Sequence, residues 1–315
     1  MPPFASLVLV ILAATLASPA SGREGWEAAP PLRHARAAHA VVAMGDALYA
    51  LAGTGDGGTP VREVERFDGT AWRDVALLPD AGLNAPAAVA LDGRIYVIGG
   101  FETVTNVPTS RVRVFTPATG QWREVAPLPA PRGGHAAAVL DGRIHVIGGG
   151  NSQRTLADHD VYDPVADRWT AATPLPRAEG SPAAVTWNGR LYAIGGRSGE
   201  RDFGAVDIYD PATRAWIAGP ALSPRGTAGA VVYCGAVHVL GGESQAARAS
   251  LGDVLRLDTG GWRALASMPT PRNFARAVVL GDAIYVVGGS PTPEASHAGH
   301  GSPVVERFRA ACPPE

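Results

Sequence analysis

Lysine is absent from this chain, so all 27 of its basic residues are arginine. With no lysine to choose from, an arginine at any one position says little by itself. An excess of charge of either sign is also missing: the formal net charge is -2. A general nucleic-acid binder or a ligand of anionic membranes carries a basic surplus, so neither class is expected here. Cysteine is scarce, with only two residues. The sequence holds no Cys-x-x-Cys, His-Glu-x-x-His, Gly-x-Ser-x-Gly or phosphate-loop pattern, the local motifs of common redox, metal, acyl-transfer and nucleotide chemistries. No Asn-x-Ser/Thr acceptor occurs either, so glycosylation says nothing about compartment.

The first 22 residues carry no charged side chain. An apolar run from Leu7 to Leu16 is followed by Ala17-Ser18-Pro19-Ala20-Ser21-Gly22. An apolar segment ahead of small residues reads as a secretory signal peptide over 1–22, cleaved near Ala20 or Gly22. The run is short for a bilayer span, so no stable membrane insertion is expected once it is removed. The rest, 23–315, is expected to be a single exported domain, periplasmic or extracellular, acting as a monomer.

What is abundant is glycine (39) and proline (27), which suits many short strands joined by tight turns. Those residues recur with a period. Trp26, Trp72, Trp122, Trp169, Trp216 and Trp262 are spaced by 46, 50, 47, 47 and 46 residues, and Trp187 stands outside the series. In phase with them, apolar segments end in Gly99-Gly100, Gly148-Gly149, Gly195-Gly196, Gly241-Gly242 and Gly288-Gly289, with Ala52-Gly53 as a degenerate first copy. Each unit reads as four strands. In the third, Gly134 to Leu140 meets Asp141-Gly142, a dipeptide suited to a type I′ hairpin. Arg143 to Ile147 then leads into the Gly pair, and His159 to Pro164 and Trp169 open the last two strands. A repeat of this length, seen six times, predicts an all-β fold of six radially stacked blades rather than unrelated sandwiches. The domain opens on Trp26 and Pro30-Pro31-Leu32, a fourth-strand signature, and closes on Val304 to Phe308, a third-strand signature. Residues 24–31 should therefore complete the sixth blade and leave no open ring edge.

The Gly-Gly after the second strand, the Tyr/Phe-Asp-Pro corner after the third and the Trp in the fourth resemble the kelch repeat. The resemblance covers about residues 23 to 310, and it implies a six-bladed kelch-type β-propeller similar to bacterial exported kelch proteins. Copper-radical oxidases share that propeller, but their cross-linked Cys-Tyr pair belongs at the channel mouth. Both cysteines here are placed on the other face, so no cofactor and no metal is expected. Gly53-x-Gly55-x-x-Gly58 matches the dinucleotide fingerprint, yet a strand, Arg62 to Phe67, should follow it. A pyrophosphate would lack its helix N-terminus.

Cys234 sits in the first hairpin turn of blade five, and Cys312 follows the third strand of blade six. They share a face in neighbouring blades, which leaves open one disulfide or two free thiols.

The opposite face collects the loops entering each first strand and those leaving each Gly pair. Counting back seventeen residues from the second Gly gives Arg36, Leu83, Arg132, Glu179, Arg225 and Arg272. Three residues on lie His39, Pro86, His135, Pro182, Ala228 and Ala275, and just after the Gly pair come Thr54, Phe101, Gly150, Arg197, Glu243 and Ser290. Two readings stand. Arg36, His39, Arg132, His135, Arg197, Arg225 and Arg272 could ring a cationic mouth for an acidic peptide or glycan, since guanidinium groups hold carboxylates bidentately. Alternatively, the arginines satisfy loop carbonyls and neighbouring carboxylates. Two histidines two blades apart fall short of the three ligands a metal wants. Functionally, the resemblance implies a non-catalytic module binding a protein, peptide or glycan. The alternative is a sugar epimerase similar to the periplasmic sialic-acid mutarotases, with Glu179 and Glu243 as acid and base.

Overall fold

A computed structural model describes residues 25–79, 81–293 and 300–312, so the leader at 1–22 lies outside the described residues. Six four-stranded antiparallel sheets follow one another around a ring. Blade one runs Ala40–Met44, Ala47–Leu51, Glu63–Phe67 and Trp72–Leu77 from the axis outward. Blades two to five begin at Ala87–Leu91, Ala136–Leu140, Ala183–Trp187 and Gly229–Tyr233. Blade six consists of Arg276–Leu280, Ala283–Val287 and Val305–Arg309, completed by Gly25–Ala29 in antiparallel register with Val305–Arg309. The chain's two ends thus close the ring on one sheet. Among the described residues no helix is long and apolar enough to cross a membrane.

The ring holds because each blade buries its faces against its neighbours. Leu48, Phe67 and Trp72 of blade one pack with Tyr285, Val287 and Val305 of blade six. Each large side chain buried in this way contributes about 1.5–3 kcal/mol. The periodic tryptophans add a directional tie. Trp26, Trp72, Trp169, Trp216 and Trp262 each donate their indole N–H to a carbonyl just past the fourth strand of the preceding blade, at Ala266, Pro30, Ala126, Thr173 and Pro220. Trp122 finds no such partner among the described residues. It faces blade one, whose third and fourth strands slip register between Val64 and Glu65. The Gly pairs are required by contact as well as by conformation. A Cβ on Gly195 would lie 2.7 Å from the Arg225 carbonyl oxygen of the next blade, and Gly195 has φ 67°.

Buried histidines make the ring acid-sensitive. His159 donates from Nδ1 to the Thr173 carbonyl (3.1 Å), so its Nε2 must accept from His145 Nδ1 (2.9 Å). Burial holds both rings down at about 4, and His135 at about 3. Their folded values lie below the unfolded one, near 6.5. The unfolded chain therefore binds more protons in that interval, and stability is lost as pH falls from 6.5 toward 4. The slope is roughly 1.4 kcal/mol per histidine per pH unit. Glu179, raised to about 8, acts in the opposite sense: between 8 and 4.5 its folded form is the protonated one, so acid favours folding there. Three histidines outweigh one glutamate. Between pH 7 and 5 the protein is expected to lose a few kcal/mol on this basis, read as a lower urea midpoint. An unchanged midpoint would show that these rings are not held neutral.

Candidate functional site

The loop face is organised by the ring position itself, and its arginines point inward to the fold. Arg36, Arg132, Arg225 and Arg272 are all at most 1 % exposed. Each pairs with a carboxylate of its own blade: Arg36 with Glu65 (2.6 Å), Arg132 with Asp160, Arg225 with Asp253 (2.7 Å) and Arg272 with Glu306 (2.8 Å). Arg36, Arg225 and Arg272 also donate to the carbonyls of Ala52, Gly241 and Gly288. Their backbones stitch the blades together, because Gly242 and Gly289 donate to the carbonyls of Arg272 and Arg36. The expectation that these four arginines present a cationic mouth is therefore corrected. The guanidinium groups of Arg36, Arg225 and Arg272 are thereby engaged within the fold, whereas Arg132 has Asp160 as its partner and its Nε and Nη1 find no acceptor among the described residues.

The two blades that depart from the pattern do so consistently. Blade two has Leu83 at the ring position and Arg113 in its third strand, at the register where blades three and six carry Asp160 and Glu306, so cation and carboxylate are lost together. Blade four has Glu179 at the ring position facing Asp207. Arg177, two residues earlier, supplies the cation and reaches both carboxyls, contacting Asp207 closely and Glu179 at 3.5 Å. Burial foremost, with the charge of Asp207, pushes Glu179 up to about 8, so it is held largely protonated at neutral pH. At 1 % exposure it lies beneath the loops, out of reach of a substrate.

His39 and His135 fill the seams between blades. A Cβ on Gly288 would come within 2.7 Å of His39 Cε1, and one on Gly99 within 2.8 Å of His135 Cε1. Both rings are kept neutral, by burial first and then by neighbouring arginines. Both rings pack in the seams, and His135 also lines the small cavity on the ring axis. Asp56–Gly58 forms a single 3-10 turn leading toward the strand Glu63–Phe67, so the glycine fingerprint opens no α-helix. Cys234 and Cys312 are joined by a disulfide with a Cα–Cα distance of 4.9 Å.

Of the expected contact residues, Arg197 and Glu243 do meet at a surface cleft. They form an ion pair, and Arg197 also lies 5.7 Å over the Phe274 ring. Burial raises the Glu243 carboxyl, and Arg197 holds it down against that. Around them the hairpins Arg197–Ser198/Arg201–Asp202 and Glu243–Ser244/Ala249–Ser250 wall a cleft of about 460 Å³ with Glu200, Gln245, Arg248 and Pro293. The hairpins are tied to each other by Gln245, whose N–H donates to Asp202 (2.6 Å). Ser198 and Thr155 connect the first hairpin to the loop of blade three. Arg154, Arg201 and Arg248 on these tips are exposed and form no ion pair among the described residues. These three are the residues the ring counting overlooks. Counting forward instead, five or six residues past the second Gly of blades three, four and five, finds all of them.

The class is thus a six-bladed propeller with its variable loops gathered on one face. A model of the KLHDC2/KLHL20/DRC7 Kelch-repeats domain matches residues 24–179, and a Kelch motif model matches 180–223. The chain belongs to the kelch-repeat family. It is 31% identical over 115 residues to Kelch-like protein 36 of Bos taurus, covering 33% of this chain and 18% of that protein. To Kelch-like protein 35 of Mus musculus it is 34% identical over 106 residues, with the same coverage, and to Beta-scruin of Limulus polyphemus 28% over 114 residues, covering 34% and 12%. The chain spans less than a fifth of the length of these relatives. Among solved structures, that of YjhT superimposes with a TM-score of 0.75 at 17% identity, covering 89% of this chain and 95% of the other, a likeness of fold.

Proposed function

We propose that this chain is an exported kelch module that binds a partner protein or peptide, without catalysis, through the loops of blades three to five. A kelch propeller is a rigid ring whose loops are free to vary, and the family suggests protein binding. The observation that carries the reading is the cleft beside Arg248, with Arg154 and Arg201 on the adjoining tips and no carboxylate paired to any of the three among the described residues. Such a surface suits an acidic segment, and its charges act through encounter and register as much as through final affinity. The test uses a fluorescein-labelled Asp/Glu-rich peptide in fluorescence anisotropy at low salt. The double variant Arg201→Glu plus Arg248→Glu is expected to weaken binding tenfold or more, and the wild-type affinity is expected to fall with salt. Equal affinities for the two proteins would remove the cleft as the site.

A second reading, a sugar epimerase or mutarotase, is favoured by Glu243 alone, a carboxyl raised by burial beside Arg197 at the cleft wall. Its test is the rate of anomeric exchange of an acidic sugar by NMR. Acceleration abolished in Glu243→Gln would establish it. A sugar that competes with the peptide without accelerated exchange would make the cleft a glycan site.

A further inference from the structure

The six innermost strands line a channel along the ring axis. Thirteen residues before the second Gly of each blade stand Ala40, Ala87, Ala136, Ala183, Gly229 and Arg276. Five blades thus offer almost no side chain at this level, and the sixth offers a guanidinium. Arg276 lines a cavity of about 120 Å³ whose walls come from all six blades. Its Nε donates to the His39 carbonyl (2.7 Å) across the seam into blade one. No carboxylate pairs with it among the described residues, in contrast to the four arginines of the ring position, each of which has one. Loss of solvation brings the guanidinium down to about 10. Its charge reaches both buried histidines nearby, helping to keep His39 and His135 unprotonated.

Among the described residues no anion neutralises this charge, yet the surroundings are polar. Each innermost strand ends its sheet, so its inner edge faces the channel with backbone groups that pair with no neighbouring strand. Above the cavity a belt of left-handed residues narrows the mouth. Ala85, Gly134, Ser181 and Thr227 each donate an N–H to the carbonyl of the belt residue in the preceding blade. A half-buried cation with no carboxylate partner among the described residues loses solvation, and a counter-ion is an ordinary remedy.

We propose that the neck of the central channel binds a small monovalent anion, a halide or a carboxylate, on the guanidinium of Arg276. The cavity has room for a guest of a few water volumes, at roughly 30 Å³ for each water, and excludes a whole sugar or peptide. A carboxylate could come from free formate or from a larger ligand that inserts its acid group through the mouth. This site lies on the axis, apart from the cleft of blades four and five, and does not depend on the reading of that cleft.

The experiment is a thermal-shift titration of the folded domain with bromide, formate and glucuronate at equal ionic strength, with Arg276→Ala and Arg276→Gln in the same salts as the controls, together with anomalous diffraction from bromide-soaked crystals. Wild type is expected to gain several degrees in bromide or formate beyond either variant, with a bromide peak within hydrogen-bonding distance of Arg276. Arg276→Ala, matching the residue in four other blades, and Arg276→Gln are expected to lose that gain, and to melt no lower than wild type at low salt. A formate gain that glucuronate reproduces assigns the carboxylate to a larger ligand, and one that glucuronate does not reproduce assigns it to the free ion. A bromide-soaked channel with no peak, or the same gain in both variants, overturns the proposal.

Discussion

Replacing Arg36 by alanine is expected to destabilise the protein by about 3–5 kcal/mol, the usual cost of removing one partner of a buried ion pair. Arg36 and Glu65 both have fully buried side chains. Besides its bond to Glu65, the guanidinium donates three further hydrogen bonds, to the carbonyls of His34, Ala52 and Glu63. Without it, the donors left to Glu65 among the described residues are the backbone N–H groups of Arg33 and His34. For a domain of this size the loss corresponds to a fall in Tm of roughly 5–8 °C. Arg36→Lys should fall between, since an ammonium restores the charge but not the planar fork. The double variant Arg36→Met plus Glu65→Leu should recover much of the loss, because no charge is then left stranded. Calorimetry on the four proteins decides the matter. An Arg36→Ala protein as stable as wild type would return this arginine to the pool of ligand contacts.

Loss of the Cys234–Cys312 bond is expected to be of similar size. The bridge spans 78 residues, and on the chain-entropy model a loop of that length is worth about 4 kcal/mol. It ties the first hairpin turn of blade five to the end of the third strand of blade six, beside the seam where Tyr233 bonds to the carbonyls of Asp282 and Ala310. That seam adjoins the blade the N-terminal strand completes, so the bridge reinforces the closure. Cys234→Ser plus Cys312→Ser should lower the Tm by roughly 5–8 °C, and reducing agent should do the same to wild type while leaving the variant unmoved. A variant that melts with wild type would mean the strand pairing of Gly25–Ala29 alone secures the ring.

How much was legible beforehand varies with distance along the chain. The blade count, the hairpin turns and the completing strand follow from Trp spacing, Gly pairs and the end segments, all of which are properties of one repeat copied six times. The ring arginines were legible only as two alternatives. Their partners, Glu65, Asp160, Asp253 and Glu306, lie 28 to 34 residues further on at offsets that change with loop length. Counting from the Gly pair therefore does not align them. Glu179 looked like a candidate acid because it interrupts a row of arginines, whereas its environment is set by Arg177 and Asp207 and by burial. Arg276 stands four residues past the ring position, where four other blades carry alanine and one glycine, so its oddity is visible in the repeat but its lack of a carboxylate partner is a matter of tertiary structure.

The sequence by itself determined the architecture, because a propeller blade is built from local hairpins whose turns, glycines and strand alternation are written within each repeat of under fifty residues. Tertiary structure alone decided which charged groups are spent on the fold and which remain available. An arginine's role depends on whether a carboxylate lies within reach once the blades close into a ring. Closure buries Arg36 and Arg272 against their partners, leaves Arg154, Arg201 and Arg248 on the tips, and sets Arg276 in the channel with no carboxylate opposite it among the described residues.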